Sequence, residues 1–167
     1  ILYDVINRDE KIFCERVYAP AVDMENMMRE KNIPLFALES REPITNFDVI
    51  AFTLQYELSY TNILNMLDLA NVPILRTERK LDDPFILVGG PCAYNVEPMA
   101  DFVDIVVLGE GEEVNLEILN AYKEWKKNKT TREDFLYQIS SIEGVYIPSF
   151  YDVTYNEDNT VKEVVPN

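Results

Sequence analysis

Short apolar runs alternate with amphipathic segments along most of this chain. The runs at 48–53, 85–88 and 105–108 are almost wholly apolar, as in parallel strands that are buried on both faces. Residues 13–18 and 35–38 mix aromatic, aliphatic and β-branched side chains, and we predict strands there as well. This alternation predicts an α/β domain with a mostly parallel sheet, for which a flavodoxin-like strand order is the natural candidate.

The residues between these runs have the periodicity of helices. Residues 1–9 have the pattern of the end of a helix, and Pro20 is placed to open the next one. That helix has apolar residues at helical spacing, and we expect its methionine stripe to pack in the core. The stripe consists of Ala21, Met24, Met27 and Met28. Further helices are predicted at 59–70, at 112–127 and at 131–141, where Thr131 and Asp134 have capping-box spacing.

The end of the chain has a different pattern. Residues 144–147 are predicted to form a strand, and 151–155 and 160–165 flank a polar turn in the manner of a β-hairpin. We therefore divide the chain into an α/β domain at 1–147 and a hairpin or linker at 148–167. A flavodoxin-like fold opens with a strand before its first helix, and we expect that strand to be missing from these 167 residues.

Two glycine motifs directly follow predicted strands. Gly89-Gly90-Pro91 follows the run at 85–88, and Gly109-Glu110-Gly111 follows the run at 105–108. Ligands of open α/β sheets bind at the carboxyl ends of the strands, where glycine permits positive φ and a close approach of the backbone. The motifs together predict a cradle for a sizeable cofactor. A tight turn without a ligand is the alternative for the first, and helix capping is the alternative for the second.

Other polar residues offer weaker candidates. Thr53-Leu54-Gln55 follows the strand at 48–53 and reaches the same predicted edge, where its polar groups suit a cofactor tail. Thr53 and Ser59 have helix capping as the plainer alternative. Glu112 and Glu113 are better interpreted as first-turn residues than as acid–base groups. We expect Cys92 to serve in buried packing and Cys14, inside a predicted strand, to lie in the core.

Composition narrows the range of functions. The 30 acidic and 15 basic residues give a net charge of −15, which disfavours a nucleic-acid partner and gives no attraction to anionic lipid. Two cysteines and no histidine leave neither a disulfide framework nor an imidazole ligand or base. No apolar stretch approaches the roughly 20 residues of a membrane span, so we expect no membrane association and a cytoplasmic location.

Five motifs give the chain a family resemblance. They are Phe13-Cys14-Glu15-Arg16-Val17-Tyr18-Ala19-Pro20, Phe52-Thr53-Leu54-Gln55-Tyr56-Glu57-Leu58-Ser59-Tyr60, Gly89-Gly90-Pro91-Cys92-Ala93-Tyr94-Asn95, Gly109-Glu110-Gly111-Glu112-Glu113 and Gly144-Val145-Tyr146-Ile147-Pro148-Ser149-Phe150-Tyr151. Because it contains all five motifs, the chain resembles the N-terminal cobalamin-binding-like domain of radical SAM proteins, in the branch called iron–sulfur oxidoreductases.

The resemblance implies an accessory domain with a corrinoid-type cofactor. Cobalamin would lie against Thr53, Leu54, Gln55, Gly89, Gly90, Pro91, Gly109, Glu110 and Gly111. The Asp-x-His-x-x-Gly element, which supplies an axial histidine in cobalamin-binding domains, has no counterpart here, nor has the Cys-x-x-x-Cys-x-x-Cys motif of the iron–sulfur cluster. The cluster and S-adenosylmethionine would therefore bind to a catalytic domain elsewhere in the same polypeptide, which is the expected partner.

Two other functions fit the same residues. The first is a degenerate domain that binds no cofactor and serves as an interaction surface. The second is a stand-alone flavodoxin-like enzyme acting on a small molecule, which the lack of a catalytic constellation disfavours. An open, tail-sized cavity above Gly89 and Gly90 would favour cofactor binding, whereas a cavity filled by side chains would favour the interaction surface.

Overall fold

Three of the predicted apolar runs form the parallel part of a four-stranded sheet. A computed structural model describes all 167 residues and gives the sheet order β1-β2-β3-β4. The three parallel strands are β1 (Val49–Thr53), β2 (Phe85–Gly89) and β3 (Ile105–Val107). The short β4 (Val145–Tyr146) pairs antiparallel with β3. The prediction of an α/β domain with a mostly parallel sheet is confirmed.

Helices cover both faces of this sheet. The helices are α1 (Leu2–Ile6), α2 (Val22–Lys31), α3 (Tyr60–Leu69), α4 (Gly111–Asn128) and α5 (Arg132–Ile139). Side chains alternate between the two faces along each strand. Ile86 and Val88 pack in one apolar core with residues of α2 and α3, whereas Phe85 and Leu87 pack in a second core with α4 and α5. None of the helices is long and apolar enough to span a lipid bilayer.

Local sequence signals explain where the last helices begin. At α5 the Thr131 hydroxyl accepts from the Asp134 N–H, and the Asp134 carboxylate accepts from the Thr131 N–H, both at 3.0 Å. This is the predicted capping box. Glu112 and Glu113 lie in the first turn of α4 and lysines lie in its last turn, as the helix dipole favours.

The predicted strands at 13–18 and 35–38 are wrong. Residues 12–18 belong to no strand, and the second segment contributes only an isolated bridge between Phe36 and Pro43. An apolar pattern favours extended backbone, but a strand exists only where a neighbouring strand completes its hydrogen bonds.

The methionine prediction for α2 is also largely wrong. Met28 is buried, but the Met24 and Met27 side chains are exposed. Helical spacing placed these residues near one another, but only the side of α2 that includes Met28 contacts the core.

The predicted C-terminal hairpin is present. It pairs β5 (Tyr151–Tyr155) with the antiparallel β6 (Val161–Pro166) in a separate two-stranded sheet. No residue of either strand is buried, so the hairpin lies outside both apolar cores.

Candidate functional site

The carboxyl ends of the three parallel strands lie at one edge of the sheet. Thr53 is paired in register with Gly89, and Gly89 is paired with Val107. The loops that leave these strands therefore begin side by side, as the sequence predicted. Seven of the nine predicted site residues line a single cleft at this edge, and they are Thr53, Gly89, Gly90, Pro91, Gly109, Glu110 and Gly111.

Leu54 and Gln55 do not line this cleft. The Leu54 side chain is fully buried in the core, its N–H donates to the Gly89 carbonyl at 2.7 Å, and its own carbonyl accepts from the Cys92 N–H at 3.0 Å. The Gln55 carbonyl accepts from the Cys92 thiol at 3.4 Å. Because the Leu54 side chain is fully buried, it cannot contact a cofactor directly. These two residues hold the glycine loop of β2 in place instead.

Gly90 is required by the protein's own backbone. Its φ is +102°, and a Cβ atom at this position would lie 3.0 Å from the Leu54 carbonyl oxygen and 3.0 Å from Thr53 Cγ2. A side chain there would meet both a rare backbone conformation and unusually tight contacts with the neighbouring loop. Part of the Gly-Gly-Pro signal therefore arises from the close packing of two loops.

Gly109 has a different environment. Its φ is +95°, but a Cβ atom placed on it would have no other atom within 4 Å. The space above this glycine is open, and it is next to Glu110, whose side chain is exposed at the cleft. Of the site glycines, Gly109 best fits the interpretation that a ligand approaches the backbone.

The cleft itself is large and mostly apolar. Its volume is about 720 Å³, and 19 of its 30 lining residues are hydrophobic. It extends from the glycine loops along β1 as far as Val49, with α1 and α4 contributing to its walls. Residues 12–18 form a further part of the wall, as do Ala37, Ile44 and Phe47. The cavity above Gly89 and Gly90 is therefore open, which is the condition that favours cofactor binding.

Few charged groups reach the cleft. Arg16 is the one cation among its lining residues, and its Nε donates to Glu39 Oε1 at 2.7 Å. Hydrogen bonds from the Arg16 backbone and side chain lower the pKa of Glu39, and Glu39 in turn raises the pKa of Arg16. The other charged residues of the lining are acidic, namely Glu15, Glu110 and Glu112.

Glu15 has an unusual environment. Its Oε2 accepts from both the N–H and the hydroxyl of Ser40 at 2.9 Å. Its Oε1 is buried and has no hydrogen-bond partner. A buried carboxylate oxygen without a donor is costly, so this atom marks a place where a donor is missing.

The two cysteines are free thiols and lie in different places. Cys92 is half-buried against the apolar core, as expected, and burial raises the pKa of its thiol. Cys14 is only half-buried and lines the cleft, so the prediction of a core position is wrong. No group of three His, Cys, Asp or Glu side chains is arranged to hold a metal ion.

An exposed apolar patch borders the glycine loops. Tyr56, Leu58 and Tyr94 project into solvent, and Leu58 is 82% exposed. The patch is held by Tyr60, whose hydroxyl donates to the Asn95 carbonyl at 2.8 Å. Ser59 does not cap α3 with its side chain, because its hydroxyl donates to the Tyr56 carbonyl at 2.7 Å. All three residues lie in the motifs that carry the family resemblance, but nothing in the sequence pattern indicated that their side chains would be exposed.

Comparison with known proteins gives two matches. The sequence profile of the family described as radical SAM proteins, N-terminal, matches residues 1–148. An uncharacterized protein of Methanocaldococcus jannaschii is 35% identical over 143 aligned positions, which cover 73% of this chain and 30% of the relative. The chain thus corresponds to less than a third of the relative's length. No solved structure gives a significant match.

Proposed function

Because this chain belongs to the family of N-terminal domains of radical SAM proteins, we propose that it is a non-catalytic, corrinoid-binding accessory domain of an iron–sulfur oxidoreductase. Its sheet would have a flavodoxin-like order in the longer protein. Its partner would be the radical SAM catalytic domain of the same polypeptide. The proposal includes a cytoplasmic location, the usual setting of proteins with unpaired thiols.

One observation supports the cofactor more than any other. The end of β1 and the loops after β2 and β3 meet at an open cleft, and Gly109 leaves free space above its backbone. In open α/β sheets this edge is the usual place for a large cofactor. The apolar lining suits the ring and base of a corrinoid, and Arg16 is the cation that suits the phosphate of its tail.

The residues also limit how a corrinoid would bind. Glu110 can accept hydrogen bonds from the amide side chains of the ring, but it would repel the phosphate. The chain has no histidine, so it offers no imidazole to the cobalt. An alkylated corrinoid would supply a reactive cobalt–carbon bond, whereas this chain's residues would bind it, orient it and exclude water from one side.

The test is a titration with hydroxocobalamin followed by absorbance, on this chain and on the longer polypeptide. We expect tight binding by the longer polypeptide and weak or no binding by the chain alone, because this chain encloses only part of such a ring. Submicromolar binding by the chain alone would contradict the second expectation. Failure of the longer polypeptide to bind would contradict the cofactor.

A paired substitution makes this test specific for the cleft. Gly109→Asn places a side chain in the open space, and asparagine is among the residues that best tolerate positive φ. We expect it to weaken hydroxocobalamin binding by the longer polypeptide at least about tenfold. The control is Lys129→Asn, at the far end of α4, where φ is also positive. Equal affinities of the two variants would exclude Gly109 from the site.

The exposed patch supports a second candidate function, an interaction surface without a cofactor. Tyr56, Leu58 and Tyr94 expose apolar area beside the loops, which is typical of a docking surface. In a pull-down with a separately produced catalytic domain, Leu58→Asp should weaken association at least about tenfold. The control is Met27→Asp, because the Met27 side chain is also exposed, on α2. Normal association of Leu58→Asp would exclude this candidate.

A further inference from the structure

One face of the C-terminal hairpin consists of apolar and aromatic residues. Along a strand, alternate side chains point to the same face, and residues paired across an antiparallel ladder share a face. The apolar hairpin face therefore comprises Tyr151, Val153 and Tyr155 of β5 with their partners Pro166, Val164 and Val161 of β6. The opposite face has three polar residues and one valine, which are Asp152, Thr154, Glu163 and Val165.

Much of the apolar hairpin face is in contact with solvent. Tyr155 is 61% exposed and Val161 is 53% exposed, whereas at the base of the face the Tyr151 ring packs against that of Tyr146. A sheet with one apolar and one polar face normally packs its apolar face against other parts of the protein. A two-stranded hairpin is marginal in water unless a further strand or a helix covers that face. This face therefore has the pattern of a surface that is buried in a larger structure.

A groove beside α5 continues the apolar hairpin face. Its volume is about 550 Å³, and Tyr151 and Pro166 belong to both the face and the groove. The α5 wall includes Tyr137, whose side chain is 75% exposed and whose ring centre lies 6.4 Å from that of Phe150. No residue of the face or of the groove lines the cleft at the glycine loops. The face and the groove thus form one continuous surface, separate from the candidate cofactor site.

Acidic residues surround this surface. Residues 151–167 contain four acidic residues and one basic residue, Lys162, and the groove adds Glu133 and Asp134. A partner with basic groups at the rim of its own interface would be attracted to this surface, whereas an anionic partner would be repelled. The exposed apolar residues at the centre require an uncharged, apolar counterpart.

We propose that this surface, the apolar hairpin face together with the groove, docks the catalytic domain of the same polypeptide. The docked part would be the apolar side of a helix or sheet, with lysine or arginine at its rim. Packing against it would make the marginal hairpin a structured link between the two domains. The identity of this partner rests on the proposed function, but the docking does not require a corrinoid.

Two observations favour the same polypeptide as the source of the partner. The family profile matches residues 1–148 and ends before β5 begins, so the hairpin lies outside the N-terminal family unit. This chain corresponds to 30% of the curated relative's length, so that relative contains much further polypeptide. A domain tethered to the hairpin would also have a high effective concentration at this surface, which a separate protein would lack.

Amide hydrogen exchange without added hydroxocobalamin tests the docking. The hydrogen-bonded amides of β5 and β6 should exchange at least about 100-fold more slowly in the longer polypeptide than in this chain. Equal exchange in the two proteins would overturn the docking. Protection in this chain alone that rises with its concentration would identify a second copy as the partner and would also overturn it. A longer polypeptide that protects the hairpin but fails to bind hydroxocobalamin would contradict the cofactor and support the docking.

Two adjacent valines give a matched pair of variants in the longer polypeptide. Val164 is on the apolar hairpin face, and Val165 is on the opposite face of the same strand. Val164→Asn would bury an amide in the interface, which is costly, and it should speed exchange of the hairpin amides at least about tenfold. The control Val165→Asn makes the same change on the polar face and should leave exchange near that of the unaltered protein. Equal exchange in the two variants would overturn the assignment of the docking face.

Discussion

Arg79 and Asp104 form an ion pair that is almost completely removed from water, with 2.9 Å between Arg79 Nη1 and Asp104 Oδ2. The same carboxylate oxygen accepts from the Ile86 N–H at 2.7 Å. The Arg79 guanidinium also donates to the carbonyls of Ile74 and Phe102. The pair thus joins β2 to the loops at the amino end of the sheet, opposite the glycine loops.

Asp104→Asn should destabilise the domain strongly. It leaves the Arg79 guanidinium buried without a counter-charge, a change that typically costs about 3–5 kcal/mol. The exposed pair Lys31–Glu30 provides the control, because Glu30→Gln should cost less than about 1 kcal/mol. Urea unfolding of the two variants gives the comparison. A loss below about 1 kcal/mol for Asp104→Asn would contradict the role assigned to this pair.

The two site glycines should respond differently to alanine. Gly90→Ala combines positive φ with contacts at 3.0 Å to the neighbouring loop, and we expect a loss of about 3 kcal/mol. Gly109→Ala has positive φ but free space, so about 1–2 kcal/mol is expected. Urea midpoints of the single variants provide the measurement. Equal losses would show that the contacts of the added methyl group at position 90 with Thr53 and Leu54 have no energetic effect.

The sequence predicts the central strands well because their signal is physical. A strand buried on both faces must be apolar throughout, and β2 has this pattern from Phe85 to Val88. The glycine positions after β2 and β3 followed from the same argument, since a parallel sheet brings its carboxyl ends to one edge. This reasoning places the candidate site without any knowledge of side-chain contacts.

Other features depend on contacts that periodicity does not encode. Residues 13–17 have the pattern of a strand but no strand neighbour in this chain, so pattern and pairing disagree. Met27 has helical spacing, but α2 presents it to solvent. The buried Arg79–Asp104 pair was missed altogether, because charged residues are ordinarily exposed and only tertiary packing reveals the exception.

Ionisation of Tyr122 should make the domain less stable at alkaline pH. Burial and then the hydrogen bond to Asp48, at 2.9 Å, hold the pKa of Tyr122 above its ordinary value of 10.0. The stabilisation is therefore fully present below pH 10, where both states keep the proton. It is lost as the pH rises further, because the unfolded chain ionises first.

Tyr122→Phe tests this pH dependence. At neutral pH we expect the variant to be less stable by about 1 kcal/mol, the contribution of one hydrogen bond to a partly exposed carboxylate. The difference from the unaltered protein should stay constant up to about pH 10 and shrink above it. Urea unfolding across pH 7–11 gives the measurement, with Tyr137→Phe at an exposed position as the control. A difference that grows with pH would contradict the sign of the shift.

The C-terminal hairpin should add little to the stability of the domain. Neither β5 nor β6 has a residue in the apolar cores. The contacts of the hairpin with the preceding residues include the Tyr146–Tyr151 ring pair, at 5.0 Å, and the hydrogen bond from the Asn167 N–H to the Phe150 carbonyl. A two-stranded hairpin is itself only marginally stable in water.

Deletion of residues 151–167 should therefore lower the free energy of unfolding by no more than about 1 kcal/mol, the size of one aromatic pair. Ile139→Ala is the comparison, because it removes a fully buried side chain from the core and should cost about 2–5 kcal/mol. Both values come from urea unfolding of this chain. If the deletion cost as much as Ile139→Ala, the hairpin would be an integral part of the domain, and the boundary near residue 148 would be wrong.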